Sequence, residues 1–131
     1  MLGNFAIYII DIYQRTYKKE LNNSNRFKSP NHIRHIAKNT EKIISMGNQT
    51  GEGWLLTGEM VELIEEGVGN IICMQPFGCL PNHITGKGQI KELKRVYENA
   101  NIIPIDYDPS ASKTNQLNRI KLMLSTAFKN I

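Results

Sequence analysis

The sequence is poor in cysteine: Cys73 and Cys79 are the only two among 131 residues. Such low cysteine usage, with no secretion signal in the sequence, favours a reducing compartment and predicts a cytoplasmic protein. A [4Fe–4S] cluster needs three or four thiolates, so this chain cannot supply a complete set. A closed zinc site is disfavoured as well, because Cys73-x5-Cys79-x3-His83 is not a zinc spacing and has no local fourth ligand.

Long hydrophobic runs are also missing. The apolar start, residues 5–12, is too short to span a bilayer, is interrupted by Asp11 and has no basic flank. The net charge of +4 is small, and the basic residues are spread along amphipathic helices beside glutamates instead of gathering on one face. We therefore expect neither a membrane nor a nucleic acid as partner. The 131 residues are expected to form a single domain with its own core.

Apolar spacing predicts a helical portion over residues 1–47. The first helix is expected at residues 4–21, although residues 6–10 are also a candidate strand. Ser29 and Pro30 have the form of an N-cap followed by proline at the first helical position. We therefore expect a second helix from there to Gly47, which ends it.

Residues 48–131 alternate between helical and strand patterns and predict an α-β-α-β-α core. The strands are expected at residues 70–74 and 101–106, which are short, apolar and rich in isoleucine. Such alternation is typical of parallel strands joined by a right-handed crossover, here through a helix at residues 89–98. Two strands alone do not make a stable open sheet. We therefore expect the chain to be the C-terminal fragment of a larger α/β protein, with further strands upstream of Met1 or from a partner chain.

The stretch from Cys73 to Gly88, CMQPFGCLPNHITGKG, joins the first strand to the next helix. Its two prolines and three glycines are expected to prevent a helix or a ladder after the strand. The stretch is therefore predicted to be a loop at the carboxyl end of a strand. This is the place where an open α/β sheet binds its ligands.

Cys79 is the first candidate for chemistry in this loop, because a thiolate there can bind iron or zinc or take part in redox exchange. A small buried loop residue without a ligand is an equally good interpretation. Cys73 lies inside the predicted strand, where packing is the better interpretation. His83 follows in the loop and can donate to a bound carbonyl or phosphate, although a histidine without such a role fits the sequence equally well.

Four stretches of the chain resemble one known family. Their sequences are GEGWLLTGEM (residues 51–60), QPFGCLPNH (75–83), IDYDPSAS (105–112) and NQLNRIK (115–121). In this order they are similar to the C-terminal end of the large acyl-CoA dehydratase activase-related proteins, the 2-hydroxyglutaryl-CoA dehydratase activator family. Those proteins accompany the 2-hydroxyacyl-CoA dehydratase system of anaerobic bacteria, and the resemblance implies the same setting for this chain.

The same region is more distantly similar to the last domain of the 2-hydroxyacyl-CoA dehydratase subunits. There a cysteine after a strand ligates a [4Fe–4S] cluster, together with cysteines from earlier domains. The resemblance implies a flavodoxin-like α/β fold, a partial doubly wound parallel sheet with a helical N-terminal part, and it makes Cys79 the metal ligand. The implied cofactor-binding residues are Gly78, Asn82, His83, Gln116 and Arg119.

The function expected from this resemblance is electron transfer during activation of an acyl-CoA dehydratase, with one thiolate contributed to an iron–sulfur cluster of the full-length protein. The isolated chain lacks the ATP-binding part of the family and the other ligands, so it is expected to be non-catalytic, colourless and without a cluster. Its partners would be dehydratase components or the missing domains of its own parent protein, and a homodimer is left open. The alternative is a non-catalytic docking or structural domain whose loop binds a partner protein or an acyl-CoA phosphate.

Overall fold

The computed structural model describes residues 2–129 of the chain. The order of elements is α1 (Leu2–Asn23), α2 (Ile33–Thr40), α3 (Trp54–Glu65), β1 (Asn70–Pro76), α4 (Ile90–Val96), β2 (Asn101–Tyr107) and α5 (Lys113–Lys129), with two short helical turns between β1 and α4. The fold class is α/β, as predicted, with a parallel sheet of two strands in the described part of the chain. The chain divides into two compact units between His32 and Ile33, and the prediction of a single domain stays a prediction.

The first unit consists of α1 and the connector that follows it. α1 is helical from Leu2 to Asn23, so the alternative of a strand at residues 6–10 is wrong. The predicted N-cap at Ser29 is also wrong, because α2 begins only at Ile33. The Ser29 N–H instead donates to Asn22 Oδ1 at 3.1 Å, which folds the connector back onto the end of α1. Within residues 2–129, no helix has the length and apolar character needed to cross a membrane.

α2 is shorter than its apolar pattern predicts, because it ends at Thr40 and not near residue 47. The N–H groups of Ile43 and Ile44 both donate to the Thr40 carbonyl, at 2.8 and 3.0 Å, and this tightens the chain into turns. α2 packs on α3 at Gly58, where a Cβ atom would lie 2.9 Å from Thr40 Oγ1. A glycine is therefore required for the two helices to approach this closely.

β1 and β2 pair in parallel, as the alternation of elements predicts. Ile71 is paired with Ile102, and Pro76 is paired with Tyr107. The strands extend to these last two residues and are thus longer than predicted. α4 is shorter than predicted, Ile90–Val96, because a separate helical turn precedes it. Because the last residues of the two strands are paired with each other, the segments that follow β1 and β2 both leave the sheet at the same edge.

The hydrophobic core lies on one face of the sheet, against α3 and α4. Its members come from both helices, both strands and the turn before β2, and they are buried: Met60, Val61, Ile71, Ile90, Leu93, Ala100 and Ile102. Because side chains alternate along a strand, Ile105 points to the opposite face from Ile102. There α5 covers β2, and Ile105 and Met123 are buried. The burial of this apolar surface holds the helices on the sheet.

Ile102→Ala should lower the free energy of unfolding by about 2–5 kcal/mol, because it removes a fully buried side chain and leaves a cavity. Leu122→Ala is the matched control. Leu122 lies on α5 with 68% of its surface exposed, so its truncation should cost less than about 0.5 kcal/mol. Urea unfolding of both variants measures the difference. Equal losses would show that the buried face of β2 has been assigned wrongly.

Candidate functional site

The candidate site is the carboxyl edge of the sheet, where both strands end. Two segments leave this edge: residues 77–86, here called the cysteine loop, follow β1, and residues 108–112 follow β2. Because Pro76 is paired with Tyr107, the two strands end level with each other. Ligands of open α/β sheets bind outside such an edge. Cys79 therefore lies in the region where the sequence predicts a ligand site.

The backbone of the cysteine loop differs from the irregular loop that the sequence predicts. Gln75 and Pro76 still belong to β1, and Asn82–Gly86 form a π-helical turn, which a 3₁₀ turn at Lys87–Gln89 connects to α4. The expectation that prolines and glycines prevent a ladder and a helix here is therefore wrong. Pro81 precedes the π turn, where no N–H group is needed, and Pro76 is the last residue of its strand. Turns of π helix are frequent at functional sites.

Cys79 is half-buried at the start of the cysteine loop. Gly78 before it has φ +67°, a left-handed conformation that favours glycine and turns the chain. The Cys79 N–H donates to the Pro76 carbonyl at 3.2 Å, and the His83 N–H donates to the Cys79 carbonyl at 3.3 Å. The Asn82 side-chain amide donates to Cys79 Sγ at 3.0 Å. An N–H donor on a cysteine sulfur is a feature of iron–sulfur sites, where it orients and tunes the ligand.

Two threonines hold the cysteine loop against α3. Thr57 of α3 donates a hydrogen bond from Oγ1 to the Thr85 carbonyl, and Thr85 Oγ1 donates to the Pro81 carbonyl at 2.9 Å. Both threonines are buried. Gly51, in the glycine-rich loop before α3, contacts Pro81, and a Cβ atom on Gly51 would lie 2.9 Å from Pro81 Cγ. The loop that carries Cys79 is therefore fixed by α3 and by the glycine-rich loop.

Cys73 and Gln75 lie on the side of β1 that α3, α4 and the π turn cover. Burial raises the pKa of the Cys73 thiol. A hydrogen bond from Gln75 and the positive charge of Lys87 both lower this pKa, but their effect is smaller than that of burial. Gln75 is buried, and its Nε2 donates to Cys73 Sγ at 3.1 Å, whereas its Oε1 has no hydrogen-bond partner among the described residues. Sequence reasoning missed Gln75. The only feature of the sequence that could have pointed to Gln75 is its position as a polar residue at the end of an apolar strand.

Gln116 and Arg119 lie on α5, beside β2. Gln116 Nε2 donates to the Asp106 carbonyl at 2.8 Å, and Arg119 Nη1 donates to the Pro104 carbonyl at 3.0 Å. Both side chains line a surface cleft of about 570 Å³, together with hydroxyl and carboxylate groups of the segment after β2. Cys79 is not among the lining residues of this cleft. A role of Gln116 and Arg119 in binding a cofactor stays a prediction.

An ion pair connects the two halves of the site. Lys87 Nζ, in the turn before α4, lies 3.3 Å from Asp106 Oδ1 in β2. Both side chains are partly exposed, so solvent screens the attraction, and such pairs contribute about 0–1 kcal/mol. The contribution of this pair is therefore positional: it keeps the segment after the cysteine loop beside the end of β2.

The residues present fit one ligand of an iron–sulfur cluster, not a complete set. In the part of the chain that the structure describes, no group of three or more His, Cys, Asp or Glu side chains is placed to hold a metal ion. Cys79 has the features of a single ligand, because its sulfur lies at the sheet edge, partly exposed, with an amide donor on it. A cluster bound here would take its other thiolates from elsewhere.

Iodoacetamide should alkylate Cys79 before Cys73, because Cys73 is held in β1 and burial raises the pKa of its thiol. A higher pH should narrow the difference, since more of the Cys73 thiol is then ionised. The raised pKa also means that the folded state loses stability as the pH rises past about 8.5, the ordinary pKa of a thiol. Mass spectrometry after timed labelling at two pH values measures both rates. If Cys73 is alkylated faster than Cys79, this placement of the two sulfurs is wrong.

Comparison with protein-family models, with curated proteins and with solved structures finds no match to this chain. The family therefore stays a prediction from the four sequence motifs. The geometry of the sheet edge supplies independent information on what those motifs can do.

Proposed function

We propose that this chain is a redox-associated domain of a 2-hydroxyacyl-CoA dehydratase activation system in the cytoplasm of an anaerobic bacterium. In this proposal the domain is flavodoxin-like, belongs to the acyl-CoA dehydratase activase-related family and contributes Cys79 as one thiolate ligand of a [4Fe–4S] cluster. The other ligands come from further domains of the full-length protein or from the dehydratase components. When bound, the cluster supplies one-electron transfer at low potential.

The observation that carries the proposal is the environment of the Cys79 sulfur. It lies just beyond the carboxyl end of β1, partly exposed, and accepts a hydrogen bond from Asn82 Nδ2 at 3.0 Å. Thiolate ligands of iron–sulfur clusters need a fixed position, and hydrogen bonds to their sulfurs help to set the reduction potential. The anchoring of the loop by Thr57 and Thr85 supports such a fixed position.

The neighbouring residues have separate roles in this proposal. Gly78 allows the left-handed turn that precedes Cys79, and Asn82 orients the sulfur. His83 is exposed on the same π turn, where a partner or cofactor can reach it. Gln116 and Arg119 lie on α5 beside β2, and the exposed guanidinium of Arg119 has further N–H groups besides the one that donates to the Pro104 carbonyl.

A docking or structural domain that binds an acyl-CoA is the second candidate. The cleft of about 570 Å³ at the end of β2 favours it, because the cleft presents Arg119, Gln116 and the hydroxyl groups of Ser110 and Ser112. Such groups can bind a phosphate. The carboxylate of Asp108 lines the same cleft and opposes an anion there. We therefore place this function second.

Anaerobic reconstitution with equal amounts of ferrous and ferric iron and with sulfide tests the proposal. The chain alone should stay colourless, because it offers too few thiolates. With excess glutathione as the source of the missing thiolates, it should take up iron and show the absorbance of a [4Fe–4S] cluster that stays with the protein through desalting. Cys79→Ser should lose this bound iron.

Cys73→Ser is the matched control, because it removes the other thiol of the chain but leaves the sheet edge intact. It should keep the iron and lose some thermal stability instead, because a more polar hydroxyl replaces the partly buried thiol that Gln75 Nε2 contacts. A melting curve recorded on each variant separates unfolding from loss of a ligand. If folded Cys79→Ser binds as much iron as the wild type, Cys79 is not a ligand and the docking function takes its place.

A further inference from the structure

The two strands differ in which groups occupy their outer edges, the sides that face away from the partner strand. The direction of the backbone N–H and carbonyl groups shows which residues lie on each outer edge. The Asn101 N–H donates to the Gly69 carbonyl at 2.8 Å, so the backbone groups of these two residues point between the strands. Backbone groups alternate in direction along a strand. The even-numbered residues of both strands therefore point their N–H and carbonyl groups outward, away from the partner strand.

The outer edge of β2 is closed. Pro104 lies on this edge and has no N–H group to offer a further strand. The outward carbonyls of Pro104 and Asp106 are occupied, because they accept hydrogen bonds from Arg119 and Gln116 of α5. Proline and covering side chains are two of the devices by which proteins prevent edge-to-edge pairing.

Between Asn70 and Met74 the outer edge of β1 carries none of these devices; the one proline on this edge, Pro76, is the last residue of the strand, and its carbonyl accepts a hydrogen bond from the Cys79 N–H. Ile72 and Met74 point their N–H and carbonyl groups outward, and the sheet of the described residues has no strand beside them. The Met74 carbonyl has only a long contact, 3.4 Å, from Gln75 Nε2. The side chains of Ile72 and Met74 are 42% and 56% exposed. On the face where they lie, α5 packs on β2 and leaves these two side chains of β1 largely uncovered. β1 also contains no charged residue between Asn70 and Pro76 that would repel a neighbouring strand.

We propose that the outer edge of β1 pairs with β1 of a second copy of this chain, antiparallel and about a two-fold axis perpendicular to the sheet. The N–H and carbonyl groups of Ile72 then meet those of Met74 in the other copy, and the reverse pair forms by symmetry. The result is a continuous four-stranded sheet in the order β2, β1, β1, β2, which ends on both sides at the edge that α5 closes.

A second copy is the occupant because the edge complements itself. Ile72 and Met74 each offer one outward N–H and one outward carbonyl, and the strand carries no charge of either sign, so two identical edges satisfy each other without repulsion. The two-fold axis places both α5 helices on the same face of the sheet. The exposed apolar side chains of Ile72 and Met74 from both copies then form one patch between those helices, where they are removed from water. Four strands is also a common sheet size, whereas two strands are marginal.

Sedimentation over a series of concentrations tests the proposal without any iron chemistry, so its outcome is independent of the proposed function. The wild type should sediment as a dimer that dissociates on dilution. Met74→Lys should be a monomer with an unchanged circular dichroism spectrum, because the substituted side chain is exposed. Val96→Lys is the matched control: Val96 is 43% exposed on α4, away from the β1 edge, and this variant should remain a dimer.

Hydrogen exchange in the wild type identifies the surface that pairs. The amides of Ile72 and Met74 should be protected at high concentration and exchange rapidly on dilution. A wild type that stays monomeric at all concentrations overturns the proposal. A dimer whose Ile72 and Met74 amides exchange freely, or one that survives Met74→Lys, also overturns it, because another surface then makes the contact.

Discussion

The position of Cys79 depends on two hydrogen bonds made by the hydroxyls of buried threonines. Thr57 reaches from α3 to the Thr85 carbonyl, and Thr85 reaches to the Pro81 carbonyl. Loss of either bond would leave a buried polar group unsatisfied, at a cost of about 1–3 kcal/mol. Leu80 and the residues just before Cys79 are exposed and give the loop little packing of its own. The cysteine loop is therefore held mainly by α3, and whatever disturbs α3 also moves the sulfur.

α5 connects the site to the architecture of the sheet. Gln116 and Arg119 line the cleft at the carboxyl edge, and each also donates a side-chain hydrogen bond to a carbonyl of β2. The same two side chains thus close one edge of the sheet and line the cleft beside it. In the sheet of the described residues, the outer edge of β1 has no strand beside it. The proposed assembly uses this asymmetry, because Pro104 and the side chains of α5 block the β2 edge and leave the β1 edge for pairing.

The sequence predicts elements well where burial alternates regularly and poorly where single side chains determine the backbone. Both strands and their parallel pairing follow from apolar runs separated by a helical pattern. The early end of α2 depends on turns at Thr40, and Ser29, predicted to be a helix cap, instead donates its N–H to Asn22. The π turn depends on Thr85, whose partner in α3 is distant in sequence. Within the site, the position of Cys79 at the sheet edge could be predicted, whereas the hydrogen bond from Asn82 to its sulfur could not.

In the proposed function, Cys79 is one ligand of a cluster whose other ligands lie outside this chain. The most direct measurement is the iron and acid-labile sulfide content of the protein isolated anaerobically, with its natural partners, from the cells that make it. Wild type and Cys79→Ala are compared in parallel. We expect a stoichiometric cluster in the wild type, and loss of cluster iron in the variant while the same partners still co-purify. Equal iron in the two preparations, or a wild type without iron, would contradict it.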